Sequence, residues 1–169
     1  MEVRIGQVLI DNGVLTSQQV EFILEEQQRT GEPFGVLSER LFHVDPETIE
    51  QAWATQYATL TRNVDPVTEV FDSQAMDMVT RRQAWQFRVL PIRFDDGELM
   101  LATTQLHLRR ALRFATSVIG VPVFLVLCTA DELGEGLCRH YPLAGMTPRS
   151  VNDDFMDQVL GDRRRGAAA

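Results

Sequence analysis

The sequence predicts an α+β fold: a four-helix subdomain built from a duplicated helical hairpin, then a small α/β subdomain with a three-stranded mixed sheet. Three observations lead there. Residues 4 to about 58 carry apolar side chains at helical spacing. The same stretch repeats itself at a constant offset of 29 residues. Beyond residue 72 the pattern changes to helix, strand, turn, strand, helix, strand, helix. The expected organisation is a helical tandem-motif subdomain over 1–60, a linker over 61–72, an α/β subdomain over 73–142 and a flexible C-terminal tail over 143–169.

Each element has a local reason. Ile5, Val8 and Leu9 recur at i, i+3, i+4, and Gly13 follows as a helix stop. Thr16 with Gln19 three residues later is a capping box, and it opens a helix whose apolar face is Val20, Ile23 and Leu24. Thr30-Gly31-Glu32 ends that helix, and Pro33 suits the first turn of the next, whose stripe is Phe34, Leu37 and Leu41. Asp45-Pro46 is a cap followed by a first-turn proline, opening a fourth helix with Ile49, Ala52, Trp53 and Tyr57 on one face. Asn63, Asp65 and Pro66 break the chain into a linker. The second half is expected to hold a helix from about Ser73 to Ala84 and strands at Val89–Phe94 and Glu98–Thr103 joined by Asp95-Asp96-Gly97. A helix at Leu106–Ile119, an apolar strand at Val121–Leu127 and a last helix at Ala130–His140 follow. The strand–helix–strand unit over 98–127 makes a right-handed parallel crossover. Val151–Leu160 has the pattern of a short helix within the tail.

Composition narrows the function. The chain has 169 residues, 24 acids against 16 bases, and a formal net charge of −8. All 16 bases are arginine. DNA or RNA is therefore an unsuitable partner, because a general grip on nucleic acid needs a broad excess of positive charge. With no lysine, Schiff-base and P-loop chemistry are excluded. Cys128 and Cys138, even with His140, make no recognised zinc spacing and read as reduced interior thiols. Met1 leads straight into an amphipathic pattern, and the nearly apolar run Val118–Cys128 is too short to span a bilayer, so the expected location is cytoplasmic. His43, His107 and His140 are scattered, Asp95-Asp96 belongs to a turn, and Asp153-Asp154 to the tail, so no residue pair nominates an enzyme. Arg109, Arg110 and Arg113 share part of a helix surface and read as a solvated face, with an acidic partner as the alternative.

The repeat carries the most specific information. Gly6 maps to Gly35, Val20 to Ile49, Leu24 to Trp53 and Gln27 to Gln56. Its first copy reads Arg4-Ile5-Gly6-x-x-Leu9-x-x-x-Gly13, then Val20, Leu24 and Gln27. Two 24-residue copies, 4–27 and 33–56, are separated by five residues. This arrangement resembles the MshEN family, the N-terminal domain of GspE-type type II secretion and type IV pilus assembly ATPases. Val89-Leu90-Pro91-Ile92 followed by Leu99-x-Leu101-Ala102-Thr103 extends the resemblance to roughly residues 3–142. It implies a module that binds cyclic di-GMP and controls a secretion, pilus or exopolysaccharide machine, with no cofactor. The half-site carried over is Arg4, Ile5, Gly6, Leu9, Leu24 and Gln27, joined from the second copy by Phe34, Gly35, Ile49, Trp53 and Gln56.

The chemistry suits such a ligand. A guanidinium meets guanine N7 and O6 with a planar fork. A glutamine both donates and accepts, and a glycine lets ligand and backbone approach closely. The second copy departs from the pattern: Pro33 stands at the arginine position, Ser38 replaces a leucine and Phe42 replaces the second glycine. A lost charge-assisted contact is worth about 1.5–3 kcal/mol, and stacking by Phe34 or Trp53 is the compensation on offer. The same residues also have a purely structural reading, with Gly6 and Gly35 as close-packing positions, Gln27 and Gln56 as helix-end caps, and Phe34 and Trp53 as core. The alternative function is a docking domain that attaches an assembly ATPase, or an NfrB-type glycosyltransferase, to an inner-membrane partner with a cytoplasmic domain. On either reading the chain works in the cytoplasm, at the cytoplasmic face of the inner membrane.

Overall fold

The computed structural model describes residues 4–152. Four helices come first: α1 (Ile5–Asp11), α2 (Ser17–Thr30), α3 (Phe34–Phe42) and α4 (Pro46–Leu60). Their ends obey local rules. Thr16 and Gln19 form the reciprocal capping box, and Gly31 closes α2 in the left-handed conformation at φ 72°. The Asp45 carboxylate accepts from the Glu47 amide at the start of α4. Pro33 lies outside α3, as its extended N-cap. In the second copy, the glycine replaced by Phe42 no longer stops the helix, so α3 runs through Phe42 and His43 takes the left-handed turn at φ 55°. The Phe42 ring then packs edge-on against Phe22 of α2 at 6.3 Å.

The second half holds α5 (Ser73–Met76), α6 (Arg81–Phe87), β1 (Leu90–Asp95), β2 (Glu98–Thr103), α7 (Leu108–Ser117), β3 (Val123–Leu127) and α8 (Ala130–His140). The sheet order is β1-β2-β3. β1 and β2 pair antiparallel through a turn with Asp96 at φ 50° and Gly97 at φ 81°. β2 and β3 pair parallel, with α7 as the crossover. This is the mixed three-stranded sheet the sequence predicts. The helix expected over 73–84 is instead two, because Thr80 and Gln83 form a second capping box that restarts the chain as α6.

Two segments expected to be loose are packed. In the 61–72 stretch, the Val64 amide donates to Leu127 O at 2.8 Å and the Leu127 amide to Arg62 O at 3.2 Å, so the linker lies along β3. A 3-10 turn follows at Pro66–Thr68. Residues 143–152, read from sequence as the start of a flexible tail, end in a 3-10 turn at Pro148–Val151 with Val151 fully buried. The buried Arg88 side chain holds this turn, Nε donating to Val151 O at 2.9 Å. A Cβ on Gly134 would lie 2.2 Å from Pro148 O, so the close approach of α8 to this turn requires glycine. The remainder of the expected Val151–Leu160 helix lies outside the described residues.

One hydrophobic core runs through both halves, from Val8 and Trp53 to Leu101, Phe124 and Leu137. Tyr57 of α4 pins the helices to the sheet: its hydroxyl accepts from the Leu125 amide and donates to Leu125 O. No helix among the described residues is long and apolar enough to cross a membrane.

Candidate functional site

A cleft of about 340 Å³ opens between α1, α2 and the edge of the sheet. It gathers Arg4, Ile5, Gly6, Leu24, Gln27 and Phe34, the first copy of the repeat with one residue from the second. The helical hairpin accounts for the grouping. A Cβ on Gly6 would lie 2.3 Å from Val20 Cγ1, so α1 and α2 pack closely only with glycine there. That approach sets Arg4, the N-cap of α1, across from the C-terminal turn of α2 that carries Gln27. Leu24 is half-buried at the wall. Leu9 belongs to the core, fully buried, and does not line the cleft.

The polar lining of the cleft is Arg4, Gln7, Ser17, Glu21, Gln27 and Glu98. The Arg4 guanidinium is exposed and pairs through Nε with Glu98 at 3.1 Å. Gln27 is only 1% exposed, and neither its Nε2 nor its Oε1 has a hydrogen-bond partner among the described residues. A buried, unpaired carboxamide is costly and uncommon. Gln27 lines the wall of the cleft with both of these polar atoms buried beneath its surface. Gln27 is therefore no helix-end cap.

The second copy is placed differently. Gly35 packs on α7, where a Cβ would lie 2.8 Å from Thr116 O. Ile49 and Trp53 are core, and the Trp53 indole stacks on Tyr57 with centroids 4.7 Å apart. Gln56 accepts a hydrogen bond from Asn12 Nδ2 at 3.1 Å. Only a 70 Å³ recess remains beside Gly35 and Ile49. Phe34 alone crosses from this copy into the first cleft.

The sequence reading missed the far wall: Glu98 at the start of β2 and the Val121-Pro122-Val123 entry to β3. Nothing in the motif spacing marks them, since they come from the other half of the chain. The three α7 arginines are more than a solvated face. Arg109 Nε and Arg113 Nη2 converge on Glu50 of α4 at 3.1 and 2.7 Å, and Arg110 donates to Gln86 O at 3.3 Å. Arg109 and Arg113 brace α7 against α4, Arg110 ties it to α6, and all three border an open cleft of about 760 Å³.

Other titratable groups have structural settings. Burial pushes the Cys128 thiol up to about 12, and burial also raises Cys138. His107 is the N-cap of α7, with Nδ1 2.7 Å from Thr104 Oγ1, and His140 stacks on Phe71 at 3.8 Å. Among the described residues, no group of three or more His, Cys, Asp or Glu side chains is placed to hold a metal ion.

Comparison with known proteins adds the family. The MshEN domain model matches residues 33–147, spanning the second copy and the whole sheet. Among solved structures, MshE with cdg is 22% identical, covering 82% of this chain and 99% of that one at a TM-score of 0.41. The N-terminal domain of XpsE is 22% identical in one crystal form, covering 82% of this chain and 94% of that one at a TM-score of 0.40. No curated protein matches the chain. The family match covers well over half of the sequence, and by it this chain belongs to the MshEN domain family.

Proposed function

We propose that this chain is a regulatory module that binds cyclic di-GMP in the first-copy cleft and transmits the bound state to a secretion, pilus or exopolysaccharide machine. The observation that carries the reading is the Gln27 carboxamide, buried at the cleft wall with neither polar atom paired among the described residues. A guanine edge supplies the acceptor and donor that this amide lacks. Ile5, Leu24 and Phe34 provide apolar cover for the purine. Arg4, at the rim, is the cation for a phosphate or for guanine N7 and O6. The module's work is recognition rather than catalysis, and membership of the MshEN family supports that role.

Isothermal titration of the chain with cyclic di-GMP tests this. Binding is expected, and Arg4→Ala should weaken it by roughly ten- to a hundredfold, the worth of one charge-assisted hydrogen bond. The same substitution should leave stability within about 1 kcal/mol, because an exposed ion pair contributes little. Absence of heat and of thermal shift at saturating ligand would sink the reading.

A further inference from the structure

The two copies of the repeat share a sequence pattern but present unequal faces. Leu24 of the first copy borders an open cleft, while its counterpart Trp53 has no exposed surface and stacks on Tyr57. Tyr57 is in turn bound to the backbone of Leu125 in β3. Both glycines serve close packing, Gly6 against the Val20 side chain of α2 and Gly35 against the Thr116 backbone of α7, but the space beside Gly6 is the 340 Å³ cleft and that beside Gly35 a 70 Å³ recess. Neither polar atom of Gln27 is paired among the described residues, while Gln56 is engaged by Asn12. The counterpart of Arg4 is Pro33, which carries neither a charge nor an amide hydrogen and sits at φ −60° as the cap of α3. The unpaired Trp53 Nε1 borders neither the first cleft nor the Gly35 recess.

The second-copy residues are therefore closed in, Gly35 by α7, Trp53 by Tyr57 and Gln56 by Asn12. Freeing that face means pulling α4 and α3 away from α7 and β3, which breaks the core shared by both halves. We infer that the cleft reads a single guanine nucleotide moiety, so that a nucleotide with one guanine satisfies it as fully as the cyclic dinucleotide does. The inference rests on the cleft being a guanine-nucleotide site, as proposed above. One guanine needs an apolar slot, one donor-and-acceptor group and one cation, and the first copy with Phe34 offers that set once. The second guanine of the dinucleotide meets no equivalent set.

The test is a pair of titrations of the full chain, with cyclic di-GMP and with 3′,5′-cyclic GMP. The latter carries one guanine and one singly charged phosphodiester, matching half of the dinucleotide. If both halves of a ligand were gripped, linkage would raise affinity by about 10²–10⁴ over the single half. The expected result is binding of both ligands at a ratio below about a hundredfold, with Gln27→Ala weakening both by the same factor and Gln56→Ala weakening neither. A larger preference for the dinucleotide, reduced by Gln56→Ala, overturns the inference and leaves the regulatory reading standing. Binding of neither ligand removes both.

Discussion

Replacing Gln27 with methionine should make the unliganded protein more stable and unable to hold its ligand. Gln27 is 1% exposed, and its amide nitrogen and oxygen have no partner among the described residues. Leaving such a group buried and unpaired costs about 1–3 kcal/mol. Methionine keeps the length and the unbranched shape, so the surrounding packing is preserved, and it removes the polar atoms. The substitution should then add about 1–3 kcal/mol to unfolding. For a chain of this size that corresponds to a rise in Tm of about 2–12 °C. Urea unfolding measures it directly, as an increase in midpoint at constant slope. Gln56→Met is the control, because that amide is half-buried and already bonded to Asn12. Losing that hydrogen bond should cost about 0.5–1.5 kcal/mol, so the two substitutions shift the midpoint in opposite directions. A Gln27→Met midpoint equal to or below that of the parent would show that the amide is satisfied in solution. The argument that it awaits a ligand would then have no basis.

Three further outcomes follow from the geometry. Gly120→Ala places a Cβ 2.0 Å from Gly31 O, where backbone meets backbone and no side chain can yield; overpacking of this kind should cost about 1–3 kcal/mol, read in the urea midpoint. Val151→Ala should cost about 2 kcal/mol, since the side chain is fully buried; no change would mean that residues 148–151 do not dock in solution. His140 is held below the ordinary imidazole range by burial and by the neighbouring Arg139. The native state therefore prefers the neutral ring, so its contribution is complete above the unfolded value near ~6.5 and is lost as pH falls through that value. Between about pH 7.5 and 5 the parent should lose more stability than His140→Gln, and equal losses would remove this assignment.

Much of the fold was legible because its signals act over three or four residues. The Thr16–Gln19 box, Asp45-Pro46 and the Asp95-Asp96-Gly97 turn each satisfy nearby backbone groups, and each element starts or turns there. The Thr80–Gln83 box is the same signal, and it was there to be found inside the helix expected over 73–84. The docking of residues 143–152 was not legible, because it depends on Arg88 and Gly134, distant residues whose sequence neighbours say nothing of a partner.

The candidate site divides in the same way. By itself the sequence determined the duplication, the hairpins and the polar residues the repeat offers, because helical periodicity and caps are local properties. Tertiary structure alone decided which copy borders an open cleft. Gln27 and Gln56 occupy equivalent positions, but one borders a cleft completed by Glu98 and the β3 entry, and the other is bonded to Asn12. Leu24 and Trp53 are likewise equivalent, but only Trp53 is sealed into the core. A single sheet with one crossover helix cannot pack equally against both hairpins. It packs α7 on the second copy and leaves a cleft beside the first, and that asymmetry of contact, invisible in the repeat, separates an open copy from one built into the core.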